Sequence, residues 1–171
     1  AVFSGGESPF PYVDALDIDL FLSADIKDVK KAIKNNIAAA HIITDKYKPS
    51  DSKQLRIGFD ADAVIFSDES EITFKKKGLK TYLKEEGASK KLMNPGPFNS
   101  FLKKLNEIQS KYTVKKCPIR IALVTARAAP AHKRVINTLR KENIRIDETF
   151  FLGGLAKGKF LKGFSADIFF D

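Results

Sequence analysis

The chain has 171 residues, 43% of them hydrophobic and 30% charged, and carries a formal net charge of +9. That length suffices for an ordinary domain with a real core, and that balance belongs to a soluble globular protein. Apolar runs such as "IRIALV" and "IFF" fall far short of the roughly 20 residues of a membrane span, so no membrane partner is expected.

Several other classes are disfavoured. The start, "AVFSGGESPF", has no basic region followed by an apolar stretch, so no signal peptide is expected. Cys117 is the one cysteine, which rules out an internal disulfide, fits a reducing cytosol and suggests a structural thiol. The lysines come in short scattered groups (Lys75–Lys77, Lys90–Lys91, Lys103–Lys104, Lys115–Lys116). No basic run interleaved with aromatics makes a base-stacking platform, so nucleic acid is not expected. A basic surface still suits small anions such as phosphate esters.

In chain order, "IDLFL" (18–22) reads as a short buried strand. Ser23 or Asp25 then caps a helix carrying Ile26, Val29, Ile33 and Ile37. "AAAHIIT" is a second strand, and the polar, Pro49-containing 46–54 is the linker. "LRIGF" is a strand running straight into Asp60 and Asp62. Residues 68–96 read as a polar, irregular insertion ending in "NPGP". Phe98, Phe101, Leu102, Leu105 and Ile108 form one helical stripe. "IRIALVT" (119–125) is a buried strand, 131–142 a helix, "TFFLGG" a strand and turn, and "IFF" a last strand. Alternating strands and helices imply βαβ units, a mainly parallel sheet, and ligands at the carboxyl ends of its strands.

Asp60, Asp62, Thr125 and Asp171 all sit at such ends, and Lys157 lies just past "FFLGG". Carboxylates beside a buried strand cost desolvation energy unless something pairs with them. Asp60 fits a nucleophile on phosphorus and Asp62 an acid that protonates the leaving oxygen and later activates water. Asp171 adds a hard oxygen for Mg²⁺, while Thr125, the neighbouring Ala126 amide and Lys157 suit phosphate oxygens.

The chain also repeats itself. Residues 2–23 align without gaps with 150–171, at an offset of 148 positions. Phe3, Gly5, Gly6, Asp19 and Phe21 match Phe151, Gly153, Gly154, Asp167 and Phe169, but Pro9 stands at the place of Lys157 and Ser23 at that of Asp171. A duplicated unit whose first copy kept its fold and lost its chemistry is the expectation.

"FDADAVIF", "LVTAR", the lysine of "AKGKFL" and "IFFD" resemble, in order, the four motifs of the haloacid dehalogenase superfamily. More narrowly, "FDADAVIFSDESE", "CPIRIALVTARAAP", "TFFLGGLAKGKFLKGFSADIFFD" and "SGGESPFPYVDALDIDLFLSADIKDVKKAI" resemble the cytosolic 5′-nucleotidases of class I. The resemblance implies a three-layer Rossmann-like α/β fold with a small cap insertion, preceded by part of a degenerate duplicated half at 1–45. It implies a catalytic core at 55–171, with the insertion at about 68–96, ending at the fourth motif. It also implies a cytosolic, Mg²⁺-dependent hydrolase of nucleoside 5′-monophosphates, AMP typically. Asp60 becomes its nucleophile and Asp62 its acid/base. Thr125, Ala126 and Lys157 become phosphate ligands, and Asp60, Asp62 and Asp171 metal ligands. Ala61 stands where the family usually has glycine, and a second acid, a helix and a strand usually follow the fourth motif.

Other residues divide between roles. Asp68, Glu69 and Glu71 suit either the substrate or a solvated turn. Pro97 suits the first turn of a helix. Arg127 could meet phosphate or an acid, and His41 and His132 read as structural. Base preference and homo-oligomerisation stay open. A non-catalytic nucleotide-binding or structural fragment, or a phosphatase for another small ester, are the alternatives.

Overall fold

The computed structural model describes residues 5–7, 10–42 and 52–171, except the side chain of Asp14. The chain divides into two compact units, Ala1–Tyr47 and Lys48–Asp171. Most of the expected linker 46–54 and the end of "AAAHIIT" lie outside the described residues.

In the first unit, strand β1 (Phe21–Ser23) pairs in parallel with β2 (Ala39–His41) across helix α1 (Ile26–Lys34). Asp25 caps α1, its carboxylate accepting from the Lys27 N–H at 2.8 Å, so of the two candidate caps the aspartate acts. Ser23 Oγ instead accepts from the Asp25 N–H. Two expectations need correcting. β1 starts three residues later than "IDLFL" and leaves Leu22 52% exposed. The helix stops before Ile37, because Asn36 takes a left-handed φ of 58° that ends the helical run. Val13, Phe21, Val29, Ala32 and Ala39 form the core.

The second unit is built on four parallel strands in the order β5-β4-β3-β6: β3 Leu55–Phe59, β4 Ile119–Thr125, β5 Glu148–Phe151 and β6 Ile168–Phe170. The expected mainly parallel α/β architecture is therefore present. Successive residues of a strand face opposite ways, so each face takes its own partners. Phe59 packs on Phe98 and Phe101, at the head of helix α3 (Asn99–Ser110), and on Phe170, with ring centroids 5.2–6.4 Å away. On the other face Ala122 and Val124 pack with Phe164 of α5 (Gly158–Phe164). Gly58 belongs to this second face, where a Cβ would come 3.0 Å from the Phe169 ring.

Within 68–96, residues 89–96 carry no helix or strand, as expected, but residues 69–88 are not irregular. They form helix α2, Glu69–Ala88, broken at Gly78, whose φ of 74° is open to glycine. The lysines mislead because they sit on exposed helix faces, as in the Glu71–Lys75 pair one turn apart. Arg134, on helix α4 (His132–Lys141), ties the two arms of α2 together through Glu69 and Glu86.

The repeat can be compared inside each unit. Gly5 and Gly6 have φ of 60° and 93°, and Gly153 and Gly154 have 61° and 94°. Asp17 and Ser165, also matched by the repeat, are both left-handed, at 48° and 56°. Between these points the first copy makes two 3-10 turns, Phe10–Tyr12 and Asp14–Leu16, and the second makes α5. Pro9 lies outside the described residues.

Candidate functional site

The sheet register brings the candidate groups together. Phe59 is level with Phe170 on one side and with Leu123 on the other. The next residue of β3, Asp60, donates its N–H to the Phe170 carbonyl at 2.8 Å, so Asp60 and Asp171 leave adjacent strands side by side. Thr125 ends β4 two residues beyond Leu123.

Lys157 closes the group. Its Nζ donates to Asp60 Oδ2 at 2.8 Å and to Asp171 Oδ1, and lies 5.5 Å from the Phe169 ring centre. Two carboxylates bonded to one ammonium are at most about 6 Å apart, twice a hydrogen-bond length. Burial pushes the Asp60 carboxyl above the usual aspartate range, against the opposing pull of Lys157 and of the Ala61 N–H. Burial also disfavours the Lys157 ammonium, but its bonds to Asp171 and Asp60 win and hold its pKa above the ordinary lysine value.

Asp62 is on the loop that follows. That loop is held from inside: Val64, Ile65 and Phe66 are buried, and Ala61 is fully so. Gly96 donates its N–H to the Ile65 carbonyl at 2.8 Å, and a Cβ there would sit 2.4 Å from the Phe66 carbonyl oxygen. "NPGP" thus pins the loop bearing the two aspartates, beyond the role of Pro97 before α3.

Asp62 pairs with Arg127 rather than Lys157. Arg127 Nε reaches Asp62 Oδ2 at 2.8 Å and Nη2 reaches Oδ1 at 2.6 Å. Of the two roles open to Arg127, contact with an acid is the one realised.

Asp60, Asp62, Thr125 and Arg127 line one cavity of about 570 Å³ in the second unit, of which Asp171 and Lys157 are not lining residues. Ala126, Gly153 and Gly154 also line it, and α2 supplies an apolar wall. The wall centres on Phe74 and Tyr82, packed edge to face with centroids 5.7 Å apart, beside Leu79 and Leu83. Burial pushes the Tyr82 hydroxyl up to about 12. Glu71 and Lys75 also border the cavity, whereas Glu69 accepts from Arg134 and from Asn94. Asp68 stands at the start of α2 with no capping bond. His41 meets the Ala24 carbonyl at 3.0 Å, and the His132 ring tilts against Phe151, both structural contacts. Cys117 is buried.

Sequence reading missed Phe74, Tyr82, Glu86 and Arg134. The first three fall in the insertion taken as irregular, where recognising a helix would have set Tyr82 and Glu86 one turn apart. Nothing local marks the pairing of Glu86 with Arg127, 41 positions away.

An α/β protein whose parallel strands deliver three carboxylates, a threonine and a lysine to their carboxyl ends has its candidate ligand site there. The chain belongs to the 5′-nucleotidase family, whose model matches residues 1–171. It is similar to the human cytosolic 5′-nucleotidase 1B, 39% identical over 175 residues that cover 98% of this chain and 29% of that protein. The chain thus spans less than a third of the length of this relative. No solved structure matches it significantly. Among the described residues, no helix is long and apolar enough to cross a membrane.

Proposed function

We propose that the protein is a Mg²⁺-dependent hydrolase of nucleoside 5′-monophosphates, AMP foremost, acting through an aspartyl-phosphate on Asp60. The observation that carries this reading is the Lys157 ammonium bonded to both Asp60 and Asp171, at the strand ends from which the cavity opens. A nucleoside monophosphate has the matching two parts. Its phosphate suits Thr125, the Ala126 amide and Lys157, and its base suits the Phe74–Tyr82 wall. The family membership and the name of the human relative support the same substrate class.

The residues fit Mg²⁺. Asp60 and Asp171 offer hard oxygens already gathered about one cationic group, and the Asp62 carbonyl is a third donor. Among the described residues no three acidic, histidine or cysteine side chains converge on one point. Mg²⁺ needs only one or two carboxylates, with substrate and water oxygens completing its shell. When bound, the ion would neutralise phosphate charge that otherwise repels the nucleophile.

In the first step an Asp60 oxygen attacks phosphorus, the bond from phosphorus to the nucleoside oxygen breaks, and that oxygen takes a proton from the Asp62 carboxyl. In the second, the Asp62 carboxylate takes a proton from water, whose oxygen attacks phosphorus. The acyl-phosphate bond breaks, releasing phosphate and restoring Asp60. Lys157 and Thr125 hold the phosphoryl oxygens through both steps.

We assign 55–171 as the catalytic core with α2 as its cap insertion, 46–54 as the linker, and 1–45 as part of a degenerate copy that keeps the glycine turn without the lysine and aspartate. The relative's name places that protein in the cytosol, and we extend this location to the present one.

A phosphate-release screen over nucleoside monophosphates and sugar phosphates, with and without Mg²⁺, tests the reading. Release from AMP only with Mg²⁺ is expected. Equal release from sugar phosphates, or none from nucleotides, would overturn the substrate assignment.

A further inference from the structure

Arg127 is 3% exposed, and all three of its guanidinium nitrogens are engaged. Nε and Nη2 grip the two oxygens of Asp62, and Nη1 donates to Glu86 Oε2 at 2.6 Å. Every nitrogen already has a protein partner and only the second N–H of Nη2 is left over, so Arg127 is committed chiefly to the two acids.

Its partner is fixed in turn. Glu86, on the second arm of α2, is 5% exposed and also accepts from Arg134 Nη1 at 2.7 Å and from Ser70 Oγ at 2.9 Å. Such a cluster is costly to desolvate, and a buried ion pair contributes little net stability over a well-packed apolar one. What it supplies is orientation: a two-toothed grip fixes a carboxylate in plane, where a single bond would leave it free to turn. The remaining lone pairs of Asp62 then have fixed directions in that plane, and Asp62 lines the cavity.

We propose that Arg127 is a positioning residue for proton transfer, holding Asp62 by both oxygens so that the proton Asp62 carries on its free edge is aimed at the leaving oxygen, with Glu86 of α2 bracing the guanidinium from behind. The inference rests on the reading of Asp62 as the acid given above. Orientation of an acid matters in proportion to how much the leaving group needs the proton. A nucleoside alkoxide cannot depart without one, whereas p-nitrophenolate can.

The test compares kcat/KM for AMP and for p-nitrophenyl phosphate in the wild type, Arg127→Lys, Asp62→Asn and the double variant. kcat/KM reports the phosphorus–oxygen cleavage step and leaves out the later hydrolysis. Arg127→Lys should lower the AMP value about 100-fold, within the range that general acid catalysis supplies, and the p-nitrophenyl value by no more than about 3-fold. Added to Asp62→Asn, it should cost nothing further on AMP. Parallel losses on both esters, or no loss on AMP, would overturn the inference. If Arg127→Lys does not fold by circular dichroism, Glu86→Gln carries the test. It should show the same selectivity at about 10-fold on AMP, and equal losses on both esters would overturn the proposal. A wild type that releases phosphate from neither ester would overturn both the hydrolase reading and this inference. One that turns over both esters while Arg127→Lys loses them alike would overturn the inference alone.

Discussion

The segments Gly5–Ser23 and Gly153–Asp171 start from the same glycine turn and later share a left-handed residue at the same repeat position. Between those points they diverge, two 3-10 turns against the α5 helix. Backbone conformations that only glycine or a short polar residue takes easily recur at matched positions of both segments. The residues that differ are those at the strand end: Ser23 caps a local turn, while Asp171 shares an ammonium with Asp60. A turn is a local device and can outlive the chemistry beside it. A site of the proposed kind needs a carboxylate on a neighbouring strand as well, and the second unit has one in Asp60.

The comparison breaks most decisively at Asp60, the proposed nucleophile. Asp60→Asn should reduce phosphate release from AMP by at least about 1,000-fold with the fold retained, as the loss of a covalent nucleophile does. Retention of most of the activity would remove Asp60 from that role.

A smaller effect separates the two strand ends. Asp171→Asn should weaken the Mg²⁺ requirement curve by about 10- to 100-fold in concentration, and Ser23→Ala should leave it unmoved. Titration of activity against Mg²⁺ for the two variants decides this, and an equal shift would return the first copy to the active machinery.

Glu86→Gln probes the buried ionic brace of the second unit. Burial works against the Glu86 carboxylate, but Arg127, Ser70 and Arg134 outweigh it and hold its pKa below the ordinary glutamate value of 4.5. A group with a depressed folded pKa contributes stability above its unfolded pKa and loses it as pH falls through the folded one. Glu86→Gln should therefore cost about 3 kcal/mol near neutrality, as breaking a buried pair does. The gap to wild type should narrow as pH drops below about 4.5. Urea unfolding at several pH values measures both, and a pH-independent gap would mean that the charge of Glu86 is not what matters.

The mildest test addresses the shared turn itself. Gly5→Ala and Gly153→Ala should each cost about 1 kcal/mol, the strain of placing a side chain at left-handed φ. Crowding adds little at either site, since a Cβ at Gly5 meets nothing within 4 Å and one at Gly153 meets Ala128 at an ordinary 3.4 Å. Markedly unequal costs would mean that the two turns are not equivalent.

The sequence by itself determined the order of the strands and of helices α3 and α4 in the second unit, the carboxyl-end position of Asp60, Asp62, Thr125 and Asp171, and the Gly-Gly turns. Each is a local signal: an apolar run, a period, or a residue with unusual backbone freedom. It misread α2, because a helix whose exposed faces carry its lysines and whose middle is broken by Gly78 has no clean apolar period. Only the tertiary structure decided that Arg127 grips Asp62, that Glu86 and Arg134 stand behind it, and that Phe74 and Tyr82 face the same cavity. Those contacts join residues up to 65 positions apart, and a charged side chain in a sequence does not say which of many opposite charges it will meet. Burial makes that choice, because a charge taken out of water must find a partner, and packing determines which partner is within reach.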